Sequence, residues 1–368
     1  MKLLHLLLSI LGLGIMASCK KSGYERKGGL VYYKGNLIHE ADYASFGALN
    51  DVFASDKRQA YYRGETISGA TGASFKALDA QYGKDNVSVF YCDNYLDFQL
   101  FNTTRKNKIS RVATANVSSF MPIANGYGRD SVRCYYQGIG FAVYDVASFE
   151  PLDYLFGRDK KSGYFNLKPI PGSSGNSFTV LSRNFSRDKH RVYYSWTILD
   201  GAAPPGIRVI READPDSFAL VGLYYARDKS HAFYKDKAIE SADPVSFRQW
   251  ADSYINYAAD TTHVYFQDKL IKEADRTTFT LLTDGYAQDT KSVFFNGNPL
   301  PDADLPTFTI LQHGYAKDNK RVYHDGNVLK GSDLASFGLV GNDAYRDAAD
   351  NRHSYYAGKP VRRKSDQE

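Results

Sequence analysis

One motif, written about eleven times, constrains this chain more than any other feature. Aspartates recur at Asp56, Asp85, Asp130, Asp159, Asp188, Asp228, Asp260, Asp289, Asp318 and Asp350, with gaps of 29, 45, 29, 29, 40, 32, 29, 29 and 32 residues. The period is therefore 29, with insertions of 16, 11, 3 and 3 residues. Five residues after every Asp stands an aromatic ring, from Tyr61 to Tyr355, and a second ring follows it everywhere except at His324. Another ring usually precedes the Asp by three, as at Tyr82, Tyr127, Tyr225, Tyr257, Tyr286 and Tyr315. An opening copy runs from Tyr24 to Tyr32-Tyr33, with Lys27 in place of the aspartate. Self-similarity at such a period means a stacked array of small units.

The local chemistry of each unit reads as β-structure. In Val322-Tyr323-His324-Asp325-Gly326-Asn327-Val328, β-branched and aromatic residues flank an Asp-Gly pair, a strong hairpin signal. The same turn position holds Gly64, Asp93, Gly138, Asp236, Asp268, Gly297 and Gly358. A Ser-Phe or Thr-Phe pair closes each unit, from Phe46 to Phe337, and four residues before that Phe stands Asp, Asn, Ser or Thr. Those side chains cap helix N-termini, so one capped helical turn per unit is expected. The fold class that follows is all-β: a tandem array of about eleven 29-residue β-meander units.

The chain has 29 Tyr and 22 Phe among 368 residues, with 43% hydrophobic and 24% charged residues, which excludes disordered and collagen-like classes. A 29-residue meander cannot bury its rings alone, so neighbouring units must complete its core. Eleven aromatic pairs face only ten Ser/Thr-Phe tails, and too few residues precede Tyr24 to supply the missing one. Eleven units also exceed the usual four to eight blades of a propeller. The count favours an open, twisted array, with a propeller or two propellers as the alternative.

The repeat resembles the DKNYY family of bacterial repeat proteins, most clearly in Asp188-Lys189-His190-Arg191-Val192-Tyr193-Tyr194. The resemblance covers roughly residues 24–361. It implies tandem repetition and export, and it brings no chemistry with it.

The N-terminus reads as an address. Lys2 precedes an apolar run too short and Gly-broken to span a bilayer, as in a secretory leader. The run enters Met16-Ala17-Ser18-Cys19, which resembles the lipobox of bacterial lipoproteins. That resemblance implies a signal peptide over 1–18, acylation of Cys19, a short tether over 19–23, the array over 24–361 and a polar tail over 362–368. It places the protein in the cell envelope. Lys20-Lys21 follows Cys19 instead of an acidic pair, so an outer-membrane anchor facing the periplasm is expected.

Catalytic chemistry is sparse. No H-E-x-x-H, G-x-S-x-G, P-loop or C-x-x-C occurs, and no cofactor or metal site is expected. The ten aspartates invite calcium, but one Asp per turn is more simply a turn residue accepting backbone N–H groups. His190, His231, His263 and His353 fall just after aspartates of separate units, as a turn preference would place them. Cys92 and Cys134 lie seven and four residues after their aspartates, a parity difference that directs them to opposite sheet faces. The net charge of +5 is too small and too dispersed for a nucleic-acid binder.

Departures from the period mark the candidate binding sites, because binding concentrates on loops carried by rigid scaffolds. The longer insertion, near 96–113, carries Phe98, Phe101, Arg105, Lys106, Lys108 and Arg111; the shorter, near 196–208, carries Trp196. Both are expected to be loops. Two functions remain: a lipid-anchored, non-catalytic interaction scaffold for another envelope protein, or a glycan-binding module stacking sugars on exposed rings. Buried repeat rings favour the first; a solvent-facing strip of rings favours the second.

Overall fold

The computed structural model describes residues 22–99, 102–153, 155–200, 204–250, 256–341, 343 and 345–361. Cys19, the leader, the polar tail and Phe101 lie outside the described residues. The fold is all-β and is built from eleven small antiparallel sheets in tandem, none closed into a barrel. Sheets are numbered 1–11 here, and their strands a–d in chain order. Sheet 2, for example, comprises Gly47–Ala48 (a), Phe53–Ser55 (b), Ala60–Tyr62 (c) and Glu65–Thr66 (d). Among the described residues sheet 1 has three strands, lettered b–d to match the others. The contacts divide the chain into two compact units, with sheets 1–5 before Ile170 and sheets 6–11 from Ile170 onward.

Strand alternation explains why both rings of the aromatic pair are needed. In sheet 2, Tyr61 packs back with Tyr24, Val31, Tyr33 and Phe46, while Phe53, Ala60 and Tyr62 pack forward with Phe75 and Phe90 of the next unit. Each strand c therefore has two covered faces. Among the described clusters, each joins consecutive sheets of one compact unit, so that within each unit the sheets follow one another as an open array. In sheet 11, the last of the described sheets, Tyr356 holds the forward position and is half exposed.

The tail Phe is the mortar between sheets. Phe46 lies 5.6 Å from Tyr24 of sheet 1 and 5.6 Å from Tyr61 of sheet 2, ring centre to ring centre. The same triad is formed by Tyr82–Phe120–Tyr135 and Tyr286–Phe308–Tyr323. The Phe ring occupies the space over the middle residue of strand b. A Cβ on Gly83 would lie only 2.3 Å from Phe75 Cζ, and one on Gly128 2.6 Å from Phe120 Cζ. That position, two before each aspartate, is Ala, Gly or Ser in all ten copies.

The capped helical turn per unit requires correction. A single 3-10 turn forms at Gly72–Ser74, Gly175–Ser177 and Leu305–Thr307, and there Thr71, Ser174 and Asp304 make no side-chain cap. Other copies form irregular turns in which the side chain does accept N–H groups, as Asp145 does from Ser148 at 3.0 Å. The segment is too short for a helix because it only turns the chain from strand d of one sheet into strand a of the next.

Candidate functional site

The ten aspartates sit between strands b and c and are buried. In every copy Oδ1 accepts the backbone N–H groups two and three residues on; for Asp188 these are His190 at 2.8 Å and Arg191 at 2.9 Å. Oδ2 reaches back to the connector entering its own sheet and accepts the N–H of the residue standing four before the tail Phe. For Asp188 this is Ser174 at 2.8 Å, and Tyr193 Oη donates to the same oxygen at 2.7 Å. Seven copies carry this tyrosine; Phe90, Phe233 and Phe294 replace it in the others. Burial opposes the charge of Asp188, but hydrogen bonds from Ser174, His190, Tyr193 and Arg191 outweigh it and hold the carboxyl below its ordinary range. Burial and the facing carboxylate push the Tyr193 phenol up. A carboxylate whose oxygens already accept three N–H groups and a hydroxyl is a hydrogen-bond node, with its acceptor capacity turned toward donors.

Among the described residues, no three His, Cys, Asp or Glu side chains converge as a metal ion would require. His231, His263 and His353 each lie 3.6–3.8 Å from the aspartate of their own copy. Cys92 and Cys134 are free and buried in different core clusters. Burial pushes the Cys134 thiol up to about 12 and that of Cys92 up as well.

The longer insertion is not a loop. It prolongs strands c and d of sheet 3 into a two-stranded ribbon, Val89–Gln99 paired with Asn102–Arg111, with unbroken register from Phe90↔Arg111 to Gln99↔Asn102. Asp93, expected at a hairpin turn, is therefore inside a strand. The parent strands carry their register into the insertion, and lengthening a hairpin preserves more backbone hydrogen bonds than opening a loop. Cross-strand register separates the expected residues by face. Leu96, Phe98 and Arg105 share one face with Asn107 and Ile109; Tyr95, Asp97, Lys106 and Lys108 share the other.

Phe98 is 76% exposed, and Tyr95 and Leu96 are half exposed near it. Lys106 is ion-paired with Asp97 at 2.5 Å, Arg105 donates to Asn94 Oδ1 at 2.9 Å, and Lys108 lies 5.9 Å from the Tyr91 ring. Arg111 belongs to the base of the ribbon, opposite buried Phe90. Thus Phe98, Arg105, Lys106 and Lys108 share one projecting element, whereas Arg111 stands apart from its tip.

The shorter insertion is likewise an extension of strands c and d, here Val192–Trp196 and Gly206–Ile210 of sheet 6. Trp196 is partly covered by its own hairpin: its ring stacks on Tyr194, Arg208 lies 5.0 Å over it, and Nε1 donates to Pro204 O at 3.0 Å. Exposure falls instead on Ile198 and Leu199 at the tip. Sequence reasoning missed these two, along with Tyr95 and Leu96. The available signal was apolar residues lying outside every repeat position. Beside this hairpin runs a groove of about 1470 Å³ along the d strands of sheets 6–8, lined by Arg208, Arg211, Glu212, Lys237, Glu240 and Lys272 among others. Arg208–Asp236 and Lys237–Asp268 ion pairs bridge successive sheets along it.

Large exposed rings elsewhere among the described residues, Tyr43, Tyr144, Tyr345 and Tyr356, occupy unrelated repeat positions. A model of the DKNYY family matches residues 24–168, 170–237 and 225–359, so the chain belongs to that family. No curated protein and no solved structure matches it.

Proposed function

We propose that this DKNYY-family chain is a lipid-anchored, non-catalytic interaction scaffold of the bacterial cell envelope, held at the outer membrane through Cys19 and facing the periplasm. The observation that supports a scaffold over a glycan binder is the burial of the recurring rings: Tyr61, Tyr135, Tyr193 and Tyr265 are essentially inaccessible, and their hydroxyls are committed to the aspartate nodes. A sugar-stacking array needs its rings outside. Each compact unit instead carries one long c–d hairpin, that of sheet 3 in the first and that of sheet 6 in the second. The protein-facing part is the sheet 6 hairpin with the mixed-charge groove beside it, a surface suited to a polar partner of alternating charge.

Affinity isolation from detergent-solubilised envelopes tests this. Shortening the sheet 6 hairpin to the 29-residue spacing costs little loop entropy and should leave the fold intact. It should also remove the protein that the unaltered chain retains. Retention of every partner by the shortened chain would sink the assignment.

A further inference from the structure

We infer that the sheet 3 ribbon is a second membrane contact, dipping its apolar tip into the lipid surface that holds the anchored N-terminus. The inference rests on the anchor at Cys19 and adds a lipid partner to it. The first ground is topological. In sheet 1, Tyr24 pairs with Tyr33, and Lys34 N donates to Gly23 O at 2.8 Å, so the chain before Tyr24 leaves at the c–d turn. Successive units keep that edge aligned: a Cβ on Gly64 would lie 2.9 Å from Tyr33 Cβ, and one on Gly138 2.9 Å from Tyr91 Cβ. The tether and the ribbon therefore leave the first compact unit from the same edge.

The second ground is reach. From Cys19 to Tyr24 an extended chain spans about 17 Å at ~3.4 Å per residue. From Cys92, level with the buried rings, to Gln99 the ribbon rises about 23 Å at ~3.3 Å per residue. A surface that receives acyl chains on Cys19 is within reach of the tip.

The third ground is chemical. Near the tip Leu96 and Phe98 occupy one face and Tyr95 the other, all exposed. Arg105 stands opposite Leu96 on the first face and Lys106 opposite Tyr95 on the second, both set back from Phe98, and Lys108 lies one step lower, opposite Asp93. A protein groove covers one face of a ribbon. Apolar and aromatic groups on both faces, with cations beside and behind them, suit an interface that surrounds the tip, with hydrocarbon around Phe98 and anionic headgroups around the collar. Asp97 is engaged by Lys106, which masks the nearest acid.

The test uses Phe98→Trp in the full chain, read against the background of Trp196 and Trp250. The acylated protein is reconstituted into phosphatidylethanolamine/phosphatidylglycerol vesicles, and the full mature chain made without its leader is mixed with the same vesicles. In the reconstituted protein the new emission should shift blue and be quenched by spin-labelled lipids. In the unacylated chain, Leu96→Ser with Phe98→Ser should lower vesicle partition by about tenfold or more, the loss expected from two half-buried apolar side chains. Emission that neither shifts nor quenches in the reconstituted protein overturns the inference, as does unchanged partition of the double variant. Fatty-acid labelling of wild type against Cys19→Ala decides the anchor separately. A chain unlabelled at Cys19 refutes the anchor, while the vesicle measurements still decide the tip.

Discussion

Replacing Asp188 by alanine tests the reading of the aspartates as structural nodes. The substitution strips acceptors from four donors: His190 N and Arg191 N at the turn, Ser174 N in the connector, and Tyr193 Oη in the core. The two turn residues are exposed, so their N–H groups recover water and their loss costs about 0.5–1.5 kcal/mol each. Tyr193 is buried and the Ser174 connector is half-buried, so those donors, orphaned from a charged acceptor, cost about 1–3 kcal/mol each. With non-additivity, a loss of about 3–5 kcal/mol is expected. Asn keeps one carbonyl for the turn but turns an NH₂ toward Ser174 N–H, so Asp188→Asn should fall between wild type and alanine.

Because energy in a stacked array is local, hydrogen exchange of peptides spanning 174–194 is the direct assay, alongside a denaturant melt. Protection should fall in sheet 6 and in the connector 170–178 that enters it, and the wild-type melt should not respond to EGTA. A loss below about 1 kcal/mol would refute the node reading, and an EGTA-sensitive melting temperature would replace it with a metal site.

Acid should unfold the protein through the same groups. Asp56, Asp85, Asp130, Asp188, Asp260, Asp318 and Asp350 are all held below the ordinary carboxyl range, with burial opposing and hydrogen bonds outweighing it. The unfolded chain, with carboxyls near about 3.9, binds protons first as the pH falls. Stability is thus complete above about pH 5 and drains below about pH 4, and Asp188→Ala should flatten that slope; a melt unchanged down to pH 2 would contradict it. Tyr286→Phe removes a hydroxyl that donates to Gly314 O at 3.1 Å and accepts Gly326 N at 3.1 Å, and should cost about 1–2 kcal/mol, read as faster exchange in sheets 9 and 10. Gly326→Ala, at φ +72° with Phe295 Cβ 2.7 Å from the new methyl, should cost more, and a melt no lower than wild type would contradict the packing. Cys92 and Cys134 should alkylate without reductant only after unfolding, each as a free thiol; mass spectrometry finding a linked peptide pair would contradict the separate burial.

Much of this architecture was legible because each structural need recurs ten times. The 29-residue period, the paired rings and the turn aspartates are read directly from the chain, and a period-two strand makes paired rings mean two covered faces. The small residue two before each aspartate was equally visible, but its reason was not. Only the placement of Phe75 over Gly83, or Phe120 over Gly128, shows that a side chain there would collide with the tail ring. The insertions were misread for a related cause. Residues 102–108 are polar and residues 94–99 lack a strict alternation of apolar residues, yet the strands they extend already fix register, so pairing continues without a buried face to demand it. Trp196 invited a binding role as the rare residue of its insertion. In the fold its ring fills the space over Gly206, while Ile198 and Leu199 take the exposed tip.

The exchange of tyrosine for phenylalanine before the aspartates follows from the neighbouring hairpin. Where the next sheet turns through glycine, the ring is tyrosine and its hydroxyl accepts that glycine's N–H: Tyr24 from Gly64, Tyr82 from Gly138, Tyr257 from Gly297, Tyr286 from Gly326 and Tyr315 from Gly358. Glycine is needed there because φ is positive and the second ring of the preceding pair presses on its Cα, as Phe266 does on Gly297. Sheet 3 replaces the tight turn by a long hairpin, and the ring preceding it in the chain is Phe53; Phe185 precedes the Lys235-Asp236 turn of sheet 7, which also lacks glycine. Glycine is not the sole partner, since Tyr225 precedes the Asp268 turn and donates to Asn256 O and Gln267 O. A buried hydroxyl left with no partner would still cost free energy, which favours phenylalanine where the tight turn is lost. The hairpin that departs from the repeat thus leaves a mark one unit upstream. Restoring a hydroxyl by Phe53→Tyr should destabilise sheets 2 and 3, because sheet 3 offers no turn N–H to receive it; a gain in protection there would show that the ribbon base supplies a donor after all.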